Sequence, residues 1–417
     1  MKNLKFYMKW IALAELAVIA VCAIVFTICK VNQLANQKEV MSYDRGTLDA
    51  INYAAVQNAR VISDESQLMT HVSMFEFDRY ANDGTVWMVY YANDKTTEEN
   101  SSDTDTYLAL AKFNIYSDKA PEMMKLLSVG DSIGDYIVSD YPPYDPTILV
   151  RKDDLLIVYE SCADGKHALS SVAVDKQTAG ITGYEYLTLS YSDETVAIDV
   201  DTIRNCFEEV TLNKIGEITD LNISTHFVEY NGYFYCTIND IFSASGYNPI
   251  IAKSTDCIHW EYVYAVTEYA DLNVVESSLA IKDGLLYIAS RTVKNGNFIA
   301  IYDLKKNMIV VKPKYIEFSH GCKPALINFN GKIILATNTL CEYDPNETNY
   351  RLNMGLYEID GNGSCVILSI IKTQSAIHYP DLQAINDELY MSWSEDRRYI
   401  DRRVARSDIA FSKIMVE

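Results

Sequence analysis

From about residue 70 onward, apolar and polar positions alternate over short runs, and Asn, Asp and Gly break the runs at regular intervals. A period of two predicts strands, and the β-branched and aromatic content agrees with that. No stretch in this region sustains the three-and-four spacing of a long amphipathic helix. One unit recurs: a strand, a tight polar-Gly turn, a second strand. It begins at His71 (HVSMFEFDRYANDGTVWMVYYA), Ile148 (ILVRKDDLLIVYES), His226 (HFVEYNGYFYCTIN), Glu276 (ESSLAIKDGLLYIASR), Lys323 (KPALINFNGKIILATN) and His378 (HYPDLQAINDELYMSWSE). A further alternating strand follows most copies, as in TYLALAKFNI, ALSSVAV, NFIAIYDL and MGLYEID.

A single such unit cannot bury both of its faces, so six of them call for a closed ring of blades. The expected fold class is all-β, a six-bladed β-propeller over residues 66–417, or five-bladed if the first two units share a blade. A β-sandwich is the rival architecture, but it leaves the even spread of hairpins unexplained. The run Ser254-Thr255-Asp256-Cys257-Ile258-His259-Trp260 adds to the ring reading. It has the pattern of an Asp-box turn, in which Ser and Asp side chains bond to turn backbone while Trp packs between sheets. Cys257 stands where Gly is usual. Such a turn marks fold and carries no chemistry, so His259 is expected to be a turn residue.

The N-terminus has a different pattern. Lys2, Lys5 and Lys9 precede an apolar run from Trp10 to Cys29, interrupted only by Glu15 and closed by Lys30. About 20 apolar residues cross a bilayer as a helix, and basic residues ahead of the run hold that end in the cytoplasm. The expected organisation is a cytoplasmic basic segment (1–9), a transmembrane signal anchor (10–30), a stalk or linker (31–65) with a short helix near 49–59, and the propeller outside the cell. A cleaved signal peptide is the alternative.

Composition narrows the partners. The net charge is −21, from 57 acidic and 36 basic residues, which repels phosphate backbones, so nucleic acid is not expected. The one basic patch is the run 397–403, containing Arg397 and Arg398, read as a blade edge or site rim. The 31 Tyr suit sheet packing first and sugar faces second. Seven cysteines lie beyond the apolar run, with neither a CxxC pair nor a zinc-ligand spacing. Scattered core thiols are the first reading, with local Cys322–Cys341 or Cys236–Cys257 pairs as the alternative. The loop around Asp344, Asn346 and Glu347 fits no standard calcium loop, and neither a metal nor a cofactor is expected.

Three stretches, in this order, resemble the sialidase superfamily of propellers. They are Glu276-Ser277-Ser278 with Asp283-Gly284 and Arg291; Asn338 with Arg351-Leu352-Asn353-Met354; and His378-Tyr379-Pro380-Asp381-Leu382. The resemblance implies a retaining glycoside hydrolase in which Tyr379 is the nucleophile and Glu276 withdraws its proton. Arg291 and Arg351 would hold a sugar carboxylate, and an aspartate would serve as acid/base. Two segments depart from the pattern. His71-Val72-Ser73-Met74 stands where the first of three arginines is expected, and Ala92-Asn93-Asp94-Lys95 replaces an Asp-x-Arg. Asp94 is the candidate acid and Lys95 a substitute cation. A neutral sugar or a uronic acid suits such an altered clamp better than sialic acid does.

Apart from the resemblance, the first residues of inner strands in a propeller face the axial funnel. His71, His226, Glu276, Lys323 and His378 hold that position in five units. His71 joins Tyr379, Glu276 and Asp94 as a catalytic candidate. Arg291, Arg351, His226, Lys323, His378 and Arg397 are binding candidates. His320 is expected near the rim, and His167 in an outer turn. Three functions fit: a glycan-active hydrolase, a non-catalytic glycan- or protein-binding propeller, and a polysaccharide lyase using His and Tyr. The expected partner is a glycan, and the expected state is a monomer at the cell membrane.

Overall fold

The computed structural model describes residues 56–415 except 97–104, 134–135, 138–141, 164–165, 192–193, 199–220, 224, 241–248, 270–271, 273, 293–295, 342–350, 352, 373–375 and 399–403. The expected anchor at 10–30, the loop with Asp344, Asn346 and Glu347, and the side chains of His167 and Arg397 lie outside what is described. No helix among the described residues is long and apolar enough to cross a membrane.

The described chain is an all-β propeller of six blades. Blade 1 runs Met69–Phe77, Thr85–Asn93, Tyr107–Asn114 and Glu122–Ser128, and blade 2 runs Tyr144–Val150, Asp154–Ala163, Lys166–Asp175 and Ile181–Tyr186. Blade 3 is built around Val228–Tyr230, Tyr233–Asp240, Ile250–Ser254 and His259–Ala265 and is widened by Thr188–Tyr191 and Glu194–Ala197. Blade 4 spans Val274–Lys282 to Met308–Tyr315, and blade 5 Ala325–Phe329 to Cys365–Lys372. Blade 6 holds Ala376–Ile385, Glu388–Arg398 and Val404–Ile414, and its outermost strand comes from the other end of the described chain: Val56–Val61 pairs antiparallel with Val404–Ile414. The spacer expected over 31–65 therefore stops before residue 56, and 56–59 is strand where a helix was expected. Closure supplies the reason, because the last blade otherwise leaves an unpaired edge.

The hairpin turns are where the sequence puts them. Asn231-Gly232, Asp283-Gly284, Asn330-Gly331 and Asn386-Asp387 all have both residues at positive φ. This is the mirror-image turn whose twist suits paired strands. At the Ser254–Trp260 turn, Ser254 Oγ accepts from the Cys257 amide at 2.9 Å, Asp256 Oδ1 accepts from the His259 amide at 2.8 Å, and Trp260 is buried. His259 is exposed and bonds Asp256, as a turn residue does.

Six apolar clusters fill the six blade junctions. Phe75, Phe77, Phe113, Tyr390 and Phe411 make up much of the one that seals blade 6 against blade 1. Inner strands are sheet edges, and their backbone groups need partners once buried. Each junction provides one by a side chain. Asp381 accepts from Phe75 N, Glu76 from Val150 N, Thr225 Oγ1 from Leu279 N, and Ser278 Oγ from Leu326 N. Thr147 Oγ1 donates to Thr225 O and Asn338 Nδ2 to Ile377 O, completing the circuit. The thiols of Cys236, Cys257, Cys322, Cys341 and Cys365 are free, so neither local disulfide forms.

Candidate functional site

The inner strands all run the same way along the axis, so their first residues gather at one mouth. Antiparallel pairing brings the last residues of the second strands to the same mouth. Four inner strands break register there. The register slips after His71, Tyr144, Val274 and His378, with Val72, Asp145 and Tyr379 in left-handed backbone at φ of 50°, 43° and 53°. A β-branched Val and an aromatic Tyr in that region cost free energy, and bulges of this kind re-aim side chains.

Glu276 and Arg291 are cross-strand partners in blade 4, with carboxylate and guanidinium 2.6 Å apart. Burial works against the Arg291 charge, but Glu276 outweighs it and keeps the guanidinium firmly protonated, with the Tyr379 phenol also in electrostatic reach. Arg351, half-buried, lies with its guanidinium carbon 5.3 Å from the centre of the Tyr379 ring. Its Nη1 donates to His378 Nδ1 at 3.2 Å. The rings of His378 and Tyr379 are 4.5 Å apart, those of His71 and Tyr379 5.8 Å, and those of His71 and His378 4.8 Å. Cys322 Sγ accepts from the Tyr379 amide at 3.3 Å. Its thiol is pushed up by burial against the pull of Arg351 and Arg291.

Sequence reasoning missed Asp396. Its Oδ1 lies 3.3 Å from His71 Nε2 and 3.1 Å from His378 Nε2. Burial opposes its charge, yet the two imidazoles more than compensate and hold the carboxyl far below its usual range. His378 is buried, and burial shifts its imidazole down against the opposing pull of Asp396, with His71 and Arg351 adding to the downward shift. Burial brings His320 down to about 4, and the charges of Arg351 and Arg291 add to the shift. A signal for Asp396 exists in the sequence: it lies at the end of a second strand, as Arg291 does, a position that attention to inner-strand starts passes over.

The other candidates are placed elsewhere. Lys323 is buried, its Nζ donating to Met74 Sδ across the axis at 3.0 Å. His226 pairs with Asp381 at 2.8 Å and lines a cavity of about 520 Å³ together with Glu76, Leu279, Asn328 and Gln383, residues from the far halves of the inner strands. That cavity opens toward the opposite end of the axis. Asp94 is exposed, accepting from Tyr107 Oη at 2.7 Å, and Lys95 pairs with Asp105 at 2.6 Å.

His71, His378 and Asp396 bring three ligand atoms within 4.8 Å of one another, close enough for one metal ion. The chemistry argues against it. A histidine that binds metal through Nε2 carries its proton on Nδ1 and donates it outward. Here Arg351 donates into Nδ1, so the neutral ring keeps its proton on Nε2.

No family model matches the chain, and no curated protein matches it. Solved structures do. A Trypanosoma rangeli sialidase mutant displaying trans-sialidase activity superposes with a TM-score of 0.56 at 12% identity, covering 87% of this chain and 57% of that one. The NanB sialidase of Streptococcus pneumoniae gives 0.54 at 10% identity over 86% and 70%. The intramolecular trans-sialidase of Ruminococcus gnavus, in complex with oseltamivir carboxylate, gives 0.51 at 13% identity over 88% and 97%. The chain thus spans little more than half the length of the trypanosomal protein. At these identities the likeness concerns architecture, and this chain has the six-bladed propeller fold of the sialidases in a divergent form.

Proposed function

We propose that the mouth carrying Tyr379 is the active site of a retaining glycoside hydrolase that acts on external glycans. The observation that carries this reading is the convergence of Tyr379, the Glu276–Arg291 pair and Arg351 from blades 4, 5 and 6. A phenol is a weak nucleophile, and the Glu276 carboxylate beside Arg291 is the base suited to take its proton. Two guanidiniums beside it favour a sugar bearing an anionic group, since Arg binds carboxylates in a forked geometry. The apolar segment 10–30 would hold the domain, as a monomer, at the outer face of a membrane.

The packing of His378, Tyr379 and Arg351 favours a second reading, a lyase that removes a proton beside a uronate carboxylate. Aryl sialosides, aryl glycosides and uronate polymers, tested with the full chain and Tyr379→Phe, separate the two. Release of the aryl alcohol, lost in Tyr379→Phe, supports the hydrolase. Unsaturated products absorbing in the ultraviolet support the lyase. Absence of turnover on every class leaves a binding module.

A further inference from the structure

With Tyr379 as nucleophile and Glu276 as base, the leaving group still lacks a proton donor. We propose that His71, carried on Asp396, is the acid–base residue of this mouth, with His378 as its positioning neighbour; the proposal rests on the hydrolase reading.

Four observations lead there. The acid to which the sequence points, Asp94, is exposed and engaged by Tyr107 rather than by any residue of the cluster around Tyr379. Asp396 lies at nearly equal distance from two imidazoles, although only the contact with His71 Nε2 has hydrogen-bond geometry. Arg351 adds to that asymmetry. By donating into His378 Nδ1 it makes protonation of that nitrogen cost a hydrogen bond and set two cations against each other. Protonation is thereby directed to His71, whose Nε2 faces the carboxylate. Finally, the strained bulges at Val72 and Tyr379 orient both rings, in the manner of groups whose aim matters.

Among the groups facing His71 are Asp396 from the second strand of blade 6, His378 and Tyr379 from its inner strand, and Tyr91 from the second strand of blade 1. Arg351 acts through His378. In the first step the Tyr379 oxygen bonds to the anomeric carbon as its proton passes to Glu276. The glycosidic carbon–oxygen bond breaks, and the leaving oxygen takes the proton of the His71 imidazolium. In the second step neutral His71 takes a proton from water, the water oxygen bonds to the anomeric carbon, and Tyr379 departs and recovers its proton from Glu276. The sum is hydrolysis, with every residue returned to its starting state.

The test uses the full chain with His71→Gln, Asp396→Asn and Asp94→Asn, on an aryl glycoside and an alkyl glycoside of the same sugar. An aryl alcohol leaves as a stabilised anion and needs little protonation, whereas an alkoxide depends on it. His71→Gln should lose ~100-fold or more on the alkyl substrate and at least ~10-fold less than that on the aryl one. Equal losses on both, or leaving-group selectivity in Asp94→Asn instead, overturn the proposal. Ring-proton NMR of the six histidines, assigned by substitution, reads the same idea without turnover. His71 should take up a proton at higher pH than His378, and Asp396→Asn should lower that midpoint. A His378 that titrates first, or a His71 midpoint indifferent to Asp396→Asn, sinks the assignment even if hydrolysis is intact. Failure to cleave any glycoside sinks the hydrolase reading and the acid role with it.

Discussion

Glu276 and Arg291 face each other across the first two strands of blade 4, with carboxylate and guanidinium 2.6 Å apart. The carboxylate side chain is 5% exposed and the guanidinium side chain 24%, so the pair stands at the wall of the mouth with its cation toward the opening. The pairing keeps the guanidinium charged and sets the proposed base beside it.

Removing the charge of Glu276 leaves Arg291 without its counter-ion. Breaking a fully buried pair costs ~3–5 kcal/mol, and partial exposure of Arg291 brings the expected loss for Glu276→Gln to about 2 kcal/mol. Urea denaturation checks this. The double variant Glu276→Gln/Arg291→Met should recover part of the loss, because no unpaired cation remains.

The N-terminal strand is integral to the ring. A chain beginning at residue 66 lacks Val56–Val61 and leaves the outer edge of blade 6 unpaired. It should aggregate or melt well below a chain beginning at residue 50, as measured by thermal unfolding of the two.

Glu76 has its carboxyl raised by burial, against the opposing pull of the Val150 amide and His226. A carboxyl raised in the folded state contributes stability that is fully present below its unfolded pKa and lost as pH rises through the folded one. Glu76→Gln keeps an oxygen for the Val150 amide without a charge to bury. It should therefore be more stable than the parent chain at neutral pH, and the gain should shrink as the pH is lowered. Urea midpoints across an acid-to-neutral series give the sign directly.

His320 is brought down to about 4 by burial and by the adjacent arginines. It stays neutral through the range in which an imidazole normally titrates, ~5 to 8. His320→Asn should accordingly leave the shape of any pH–rate profile unchanged above about pH 5. A limb that disappears in this variant would assign that limb to His320.

The repeating hairpin is legible along the chain, because alternation and Asn-Gly or Asp-Gly turns are local, and strand pairing across a two-residue turn follows from them. Ring closure by Val56–Val61 was hidden, since its partner lies at the opposite end of the described chain and no local pattern names it. The same limit applied to the mouth. Tyr379, Glu276, Arg291 and Arg351 could be read from their order along the chain, whereas Asp396 acquires meaning only where blade 6 sets it against His71 of blade 1. His71, His226 and His378 looked equivalent by position. Tertiary structure separated them, sending His226 to Asp381 and the far cavity while Arg351 settled the tautomer of His378. Hairpins are fixed by neighbours in sequence; charges, protons and cavities are fixed by neighbours in space.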